Sequence, residues 1–164
     1  MGSVYKPDHT DSQIIRLLNE DGRISSAEIA RRLGDVSART VTNRIEALSR
    51  EGIINIRAVV NPETVGYGVL ADVFIEIEPG RLLEVAERVA EFPEISYVAC
   101  ATGDTDVIIS VRARDIKEFY NFVIEVIGKI PGVRHTQTFL LPLKIKNIAS
   151  WMPPDILEDG EDNS

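Results

Sequence analysis

The apolar residues of this 164-residue chain change period at Val69, and that change limits the possible folds more than any other feature. Before it, apolar positions recur three and four residues apart, as on a helix with one buried face. From Val69 onward they alternate, as on a strand. The chain therefore reads as two units of different class, α+β overall.

The first unit is punctuated by capping residues. Thr10-Asp11-Ser12-Gln13 has the capping-box form, and Ile14, Leu17 and Leu18 follow at helical spacing up to Asp21-Gly22. A second box, Ser25-Ser26-Ala27-Glu28, opens a short helix that turns Ile29, Ala30 and Leu33 inward and stops at Gly34. Asp35 and Val36 then lead to Ser37, the N-cap of a third helix that runs to Gly52. Two helices joined by so short a glycine-bearing turn form a helix-turn-helix pattern. On the third helix Val41, Ile45 and Leu48 make the apolar stripe, while Arg39, Asn43, Glu46 and Arg50 fall opposite. Taken alone, that outer face reads as an ordinary solvated one. Placed after a helix and a tight turn, it reads as a recognition surface. Arginine pairs bidentately with guanine and asparagine with adenine in the major groove. Arg39 and Asn43, with Thr40, Thr42 and Arg44 beside them, are expected to meet double-stranded DNA, and Arg50 to meet its phosphates.

Net charge is −8, which at first opposes a nucleic-acid partner. The surplus is uneven. Residues 1–60 hold nine Lys/Arg against eight Asp/Glu, and residues 61–164 hold nine against eighteen. Apart from Lys6, every Lys/Arg position in the first sixty residues is arginine, the better residue for forked recognition. Local charge is what a phosphate backbone meets.

Ile53–Val60 is rich in β-branched residues and is expected to be a strand within a 53–68 linker, broken at Asn61-Pro62. The second unit, 69–146, then reads strand, helix, strand, strand, helix, strand. VLADVFIEIE alternates; Leu82, Val85, Ala86 and Val89 are helical; ISYVACAT and DVIISVRAR flank a turn at Gly103-Asp104-Thr105. Ile116, Phe119, Tyr120, Val123, Ile127 and Ile130 give the second helix, and a last strand runs from Val133 to about Ile145. That order predicts a ferredoxin-like βαββαβ domain, with two helices on one face of an antiparallel sheet. Leu70 and Phe74 point to the other face. Apolar residues on an uncovered sheet face predict a partner surface, and a two-fold dimer suits paired half-sites. Residues 147–164 form an acidic tail, of which Trp151 to Ser164, proline-broken and almost apolar-free beyond Leu157, is expected to be disordered.

Other classes of chemistry find little support. The single cysteine, Cys100, precludes an intramolecular disulfide framework, leaves a metal cluster without partners, and is expected to be buried. Only His9 and His135 are histidines, and neither a nucleophile motif nor carboxylates in acid/base spacing are visible. No catalytic, cofactor or metal role is expected. With no apolar stretch of membrane-spanning length and no leader, a cytoplasmic protein without a membrane partner is expected.

Four stretches carry a family resemblance: DSQIIRLLNEDGRISSAEIARRLG from Asp11, SARTVTNRIEALSREGII from Ser37, ATGDTDVIISV from Ala101, and IPGVRHTQTFLLP from Ile130. The chain resembles the Lrp/AsnC feast/famine transcriptional regulators. The resemblance implies an N-terminal helix-turn-helix, winged-helix-like domain (1–52) and a C-terminal ligand-sensing domain. It implies dimers that assemble further, often to octamers. A small effector, commonly an amino acid, would sit between dimers beside the glycine–aspartate turn. Carried over by position, Ser37, Arg39, Thr40, Thr42, Asn43 and Arg44 would meet DNA, and Gly103, Asp104, Thr105 and Asp106 the effector. Many members carry an aromatic residue where this chain has Thr105 and an acidic one where it has Gln137. Gln137 and His135 would line the same pocket. Two alternatives remain open: an enzyme like the siroheme decarboxylases, which share this architecture, and an architectural protein that wraps DNA.

Overall fold

The computed structural model describes residues 5–146 and 151–158. The chain divides into two units, residues 1–59 with 146–164, and Val60–Ile145.

In the first unit, α1 (His9–Glu20), α2 (Ser26–Leu33) and α3 (Ala38–Arg50) meet through Ile14, Ile29 and Val41, one fully buried side chain from each helix. Local signals set the boundaries of α2 and α3. The hydroxyls of Ser25 and Ser37 each accept from the amide three residues on, at 3.1 Å. Gly34 closes α2 at φ +84°, a left-handed conformation that a side chain would strain, and so permits the sharp turn into α3.

Three expectations for this unit are corrected. The helix α1 opens at Asp8, ahead of the Thr10 box: the Asp8 carboxylate accepts from the Asp11 amide at 2.8 Å, and that of Asp11 accepts from the Asp8 amide at 3.2 Å. Two aspartates three apart thus make the reciprocal cap expected of Thr10 and Gln13. Residues 54–60 join no sheet, and among the described residues the helix-turn-helix has no wing. β-Branched residues favour extended backbone, but a strand also needs a partner edge, and this chain presents none there. Finally, the tail is ordered in part. The helix α6 (Pro154–Glu158) packs on α1. Trp151, Met152, Pro153 and Ile156 line an apolar groove of about 670 Å³ with Ile15 and Leu18. WMPPDIL is the apolar run within an otherwise acidic tail, and Ile15 offers it an apolar seat. The rest of that tail, 147–150 and 159–164, lies outside the described residues.

In the second unit, β1 (Val69–Ile77), α4 (Leu82–Ala90), β2 (Ile95–Cys100), β3 (Val107–Ala113), α5 (Ile116–Asn121) and β4 (Val133–Leu140) follow the expected order. The sheet order is β2-β3-β1-β4, antiparallel throughout. Ala71, Val73, Ile75 and Ile77 of β1 and Val107, Ile109, Val111 and Ala113 of β3 alternate onto the face that the helices cover. The helix after β3 changes pitch: α5 runs into a π-helical turn (Phe122–Val126) and a 3₁₀ turn (Ile127–Lys129). Strand β4 ends at Leu140, earlier than expected. Leu141 still donates to the Leu70 carbonyl at 2.9 Å, but Pro142 has no amide with which to continue the ladder. Cys100 is exposed, against expectation, because it ends the edge strand β2. Opposite the helices lies the face that carries Leu70, Phe74, Ile108 and Phe139. The Phe74 and Phe139 rings meet edge to face at 5.1 Å, and Tyr97 nearby is 54% exposed.

Candidate nucleic-acid interface and effector turn

The outer face of α3 sorts its polar side chains into those already bonded within the unit and those left over. Ser37 caps the helix, and its hydroxyl also meets the Thr40 hydroxyl at 2.9 Å. The Thr42 hydroxyl donates to Ser26 of α2 at 2.9 Å and to the Ala38 carbonyl at 3.0 Å, tying the two helices together. Ser26 was not singled out from the sequence; the doubled serine was its signal, since one serine suffices for the cap. Arg50 lies 3.6 Å from Glu51, both exposed. Arg39 and Asn43 are exposed, and neither side chain has a partner among the described residues. Planar donor groups of these two kinds can pair with base edges.

Arg44 is placed differently. Its guanidinium pairs with Asp8 at 2.7 Å and with Asp11 at 2.8 Å. The Asp11 side chain is 2% exposed and that of Arg44 30%. Tyr5 donates to the same Asp11 carboxylate at 2.8 Å, which raises the tyrosine pKa, as does its partial desolvation. Burial works against ionisation of Asp8, yet hydrogen bonds from the Asp11 amide and from Arg44 outweigh it and hold its carboxyl below the usual value. Hydrogen bonds to Asp11 and Asp8 correspondingly raise Arg44. This cluster clamps α3 to the start of α1 and so sets the angle at which Arg39 and Asn43 are offered.

On α2, Arg31 and Arg32 both donate to Glu28, at 2.6 Å and 2.9 Å. Those hydrogen bonds pull Glu28 from 4.5 down to about 2. A carboxylate depressed by folding stabilises the fold above its unfolded pKa and ceases to do so as pH falls through its folded one. The helical unit is therefore expected to lose thermal stability between pH 4.5 and about 2. Circular dichroism melts across that range should show a shallower slope for Glu28→Gln. An unchanged slope would remove Glu28 from the account.

The expected effector turn is pinned to β1. The Asp106 amide donates to the Ile75 carbonyl at 3.0 Å, and the Ile77 amide donates to the Asp106 carboxylate at 2.7 Å. The Thr105 hydroxyl donates to the Ile75 carbonyl at 3.1 Å. Gly103 sits at φ +134°, where a side chain is strained, so the tight path of the turn needs glycine there. Asp104 is exposed, and its carboxylate has no partner among the described residues. Asp106 and Thr105 thus hold the turn in shape, leaving Asp104 as its unengaged charge. His135 and Gln137 are exposed on β4, opposite Glu76 and Phe74 of β1 in the ladder. The sheet brings His135 to the same end as the turn, with Gln137 one step further along.

Comparisons with known proteins agree with this division. Residues 8–49 match the family model of the AsnC-type helix-turn-helix domain, and residues 70–147 that of the Lrp/AsnC ligand binding domain. A helix-turn-helix transcriptional regulator of Pyrococcus abyssi is 40% identical over 135 residues, covering 82% of this chain and 85% of that protein. The regulator FL11 of Pyrococcus furiosus is 35% identical over 147 residues, 89% of this chain and 95% of its own. Escherichia coli AsnC superposes with a TM-score of 0.82 at 26% identity, over 88% of this chain and 99% of that one. A Neisseria meningitidis transcriptional regulator solved as its L-Met complex reaches 0.84 at 28%, over 93% and 99%. No helix among the described residues is long and apolar enough to cross a membrane. With both family models matched in order and relatives of this identity along most of the chain, the protein belongs to the Lrp/AsnC family of helix-turn-helix transcriptional regulators.

Proposed function

We propose that this protein binds double-stranded DNA in a sequence-specific manner through α3 and regulates transcription in response to an amino acid or a related small molecule. The observation that carries the first part is the pair Arg39 and Asn43, exposed and unpartnered on a helix where Thr40, Thr42 and Arg44 are engaged within the unit. Arg50 and the α2 N-terminus at Ser26 are suited to phosphates. The effector part is supported by the Gly103–Asp106 turn, whose geometry leaves Asp104 available for an ammonium, and by the L-Met complex of the Neisseria relative. His135 and Gln137 would contribute from the adjacent strand. A two-fold dimer through the open sheet face, able to assemble further, would pair the recognition helices. The relatives named above are called transcriptional regulators, which favours this reading over an enzyme.

The test is to select bound fragments from random duplex DNA with and without each amino acid. Arg39→Ala and Asn43→Ala are each expected to weaken binding to the selected site by ~1–3 kcal/mol and to relax preference at one base pair per half-site. Arg50→Ala should weaken all duplexes alike and reduce the salt dependence. Uniform behaviour of all three variants would rule out base readout by α3. Asp104→Ala should remove any ligand-dependent change in binding, and an unaltered response would place the effector elsewhere.

A further inference from the structure

We infer that the C-terminal tail is an electrostatic brake on DNA binding: its apolar run docks on the helical unit and so ties a block of carboxylates to the body that must approach phosphates. The inference rests on the reading that α3 binds duplex DNA. The tail lies beyond both family models, which match residues 8–49 and 70–147. It follows the second unit in sequence, yet Lys146–Ser164 belongs by its contacts with the helical unit.

Docking has a physical basis on both sides. Ile15 of α1 is only 8% exposed, although Ile14, Ile29 and Val41 build the core between the three helices without it. It lines the groove instead, together with Leu18, Ile53 and Ile54. Met152 and Ile156 of the tail line the same groove and are half-buried, and the Ile156 amide donates to the Pro153 carbonyl at 3.1 Å to open α6. Removal of these apolar side chains from water drives the contact.

What the docked run carries with it is charge. Between Asp155 and Asp162 the chain has five carboxylates, and residues 147–164 contain no lysine or arginine. Asp155 is exposed, with no partner among the described residues. Asp162 is six residues beyond Ile156. Even a fully extended chain of that length reaches only ~20 Å. Residues 1–59 have a formal charge of +1, and residues 146–164 add −4 to the same unit. A unit that would meet DNA almost neutral therefore meets it as an anion, and a block of like charge repels the phosphate backbone.

The repulsion acts at a distance, and salt sets how far it reaches. A unit of about sixty residues has a radius of gyration of roughly 10 Å, so α6 stays within ~25 Å of the outer face of α3. At about 0.01 M ionic strength the Debye length is ~30 Å and the carboxylates act across the whole unit. At about 0.3 M it is ~6 Å and they do not. The same salt screens the attraction of arginines for phosphates. Because the two effects have opposite sign, DNA affinity falls less with salt than the arginines alone would require.

The experiment follows binding of the full chain to a short labelled duplex of random sequence, by fluorescence anisotropy, across that salt range. In one variant Asp155→Asn, Glu158→Gln, Asp159→Asn, Glu161→Gln and Asp162→Asn remove the charge and leave the apolar run intact. It should bind about ten-fold more tightly than the parent at about 0.01 M and within about two-fold of it at about 0.3 M, with the steeper salt slope. In a second variant Ile156→Ser weakens docking and keeps every charge. It should gain about three-fold at the lower salt. Trp151, the one tryptophan of the chain, should become more open to acrylamide quenching in it. Equal binding by the neutralised variant and the parent at low salt overturns the inference. So does an Ile156→Ser chain that binds DNA like the parent or leaves Trp151 equally quenched. A gain that persists undiminished at the higher salt overturns it too, since screening would then play no part. If neither parent nor variants bind any duplex, the DNA reading itself fails, and the inference with it.

Discussion

Arg44→Met is expected to destabilise the helical unit by about 2–4 kcal/mol, because it leaves the Asp11 carboxylate buried without its counter-charge. In a unit of this size that lowers the melting temperature by on the order of 10 °C. Asp11 would keep its hydrogen bonds from Tyr5 and the Asp8 amide, which is why the loss falls short of complete unfolding. Adding Asp11→Asn to Arg44→Met should recover at least half of the loss, since a neutral amide oxygen still accepts the cap without a stranded charge. Thermal denaturation of the two variants decides the matter. If Arg44→Met melts like the parent while losing DNA affinity, the arginine acts at the duplex rather than as a clamp. Arg39→Ala supplies the contrast, since its side chain has no described partner and its loss should leave the melting temperature unchanged. The clamp also has a functional reading. By joining α3 to the first turn of α1, it makes the direction of the face that carries Arg39 and Asn43 depend on helix packing and not on α3 alone.

Phe74→Asp is expected to convert the protein to monomers at micromolar concentration and to lower its affinity for a paired DNA site by about 10²–10⁴-fold. Phe74 sits half-buried at the centre of the open sheet face, edge to face with Phe139 and opposite Gln137 and Ile108. A carboxylate there would have to be desolvated without a partner if a second copy packs on that face. The loss of affinity follows from connectivity: a tethered second half-site binds at high effective concentration, and a monomer forgoes it. Light scattering that shows an intact dimer in Phe74→Asp would rule out association through this face. A dimer that dissociates while DNA affinity is unchanged would show that pairing of half-sites contributes nothing.

The sequence by itself determined the order and type of the elements from α1 to α3 and from β1 to β4. Capping serines, glycine stops and a change from helical to alternating spacing are local signals, each written within a few residues, and Ser25, Gly34, Ser37 and Pro79-Gly80 announce boundaries whatever the rest of the chain does. The alternation along β1 likewise announced which residues face the helices, since a strand's side chains have no other choice. The same locality explains why Arg39 and Asn43 were legible: the face of a helix follows from counting. Tertiary structure decided which polar groups remained free. Arg44 and Asp11 are 33 residues apart, and nothing near either one signals that they meet. Asp106 is keyed to β1 across 29 residues, and so serves the shape of the turn rather than its open surface. The segment 54–60 has a strand's composition, but an edge to pair with is a property of the assembled fold. A side chain's chemistry is local, whereas its availability depends on every neighbour that could satisfy it first.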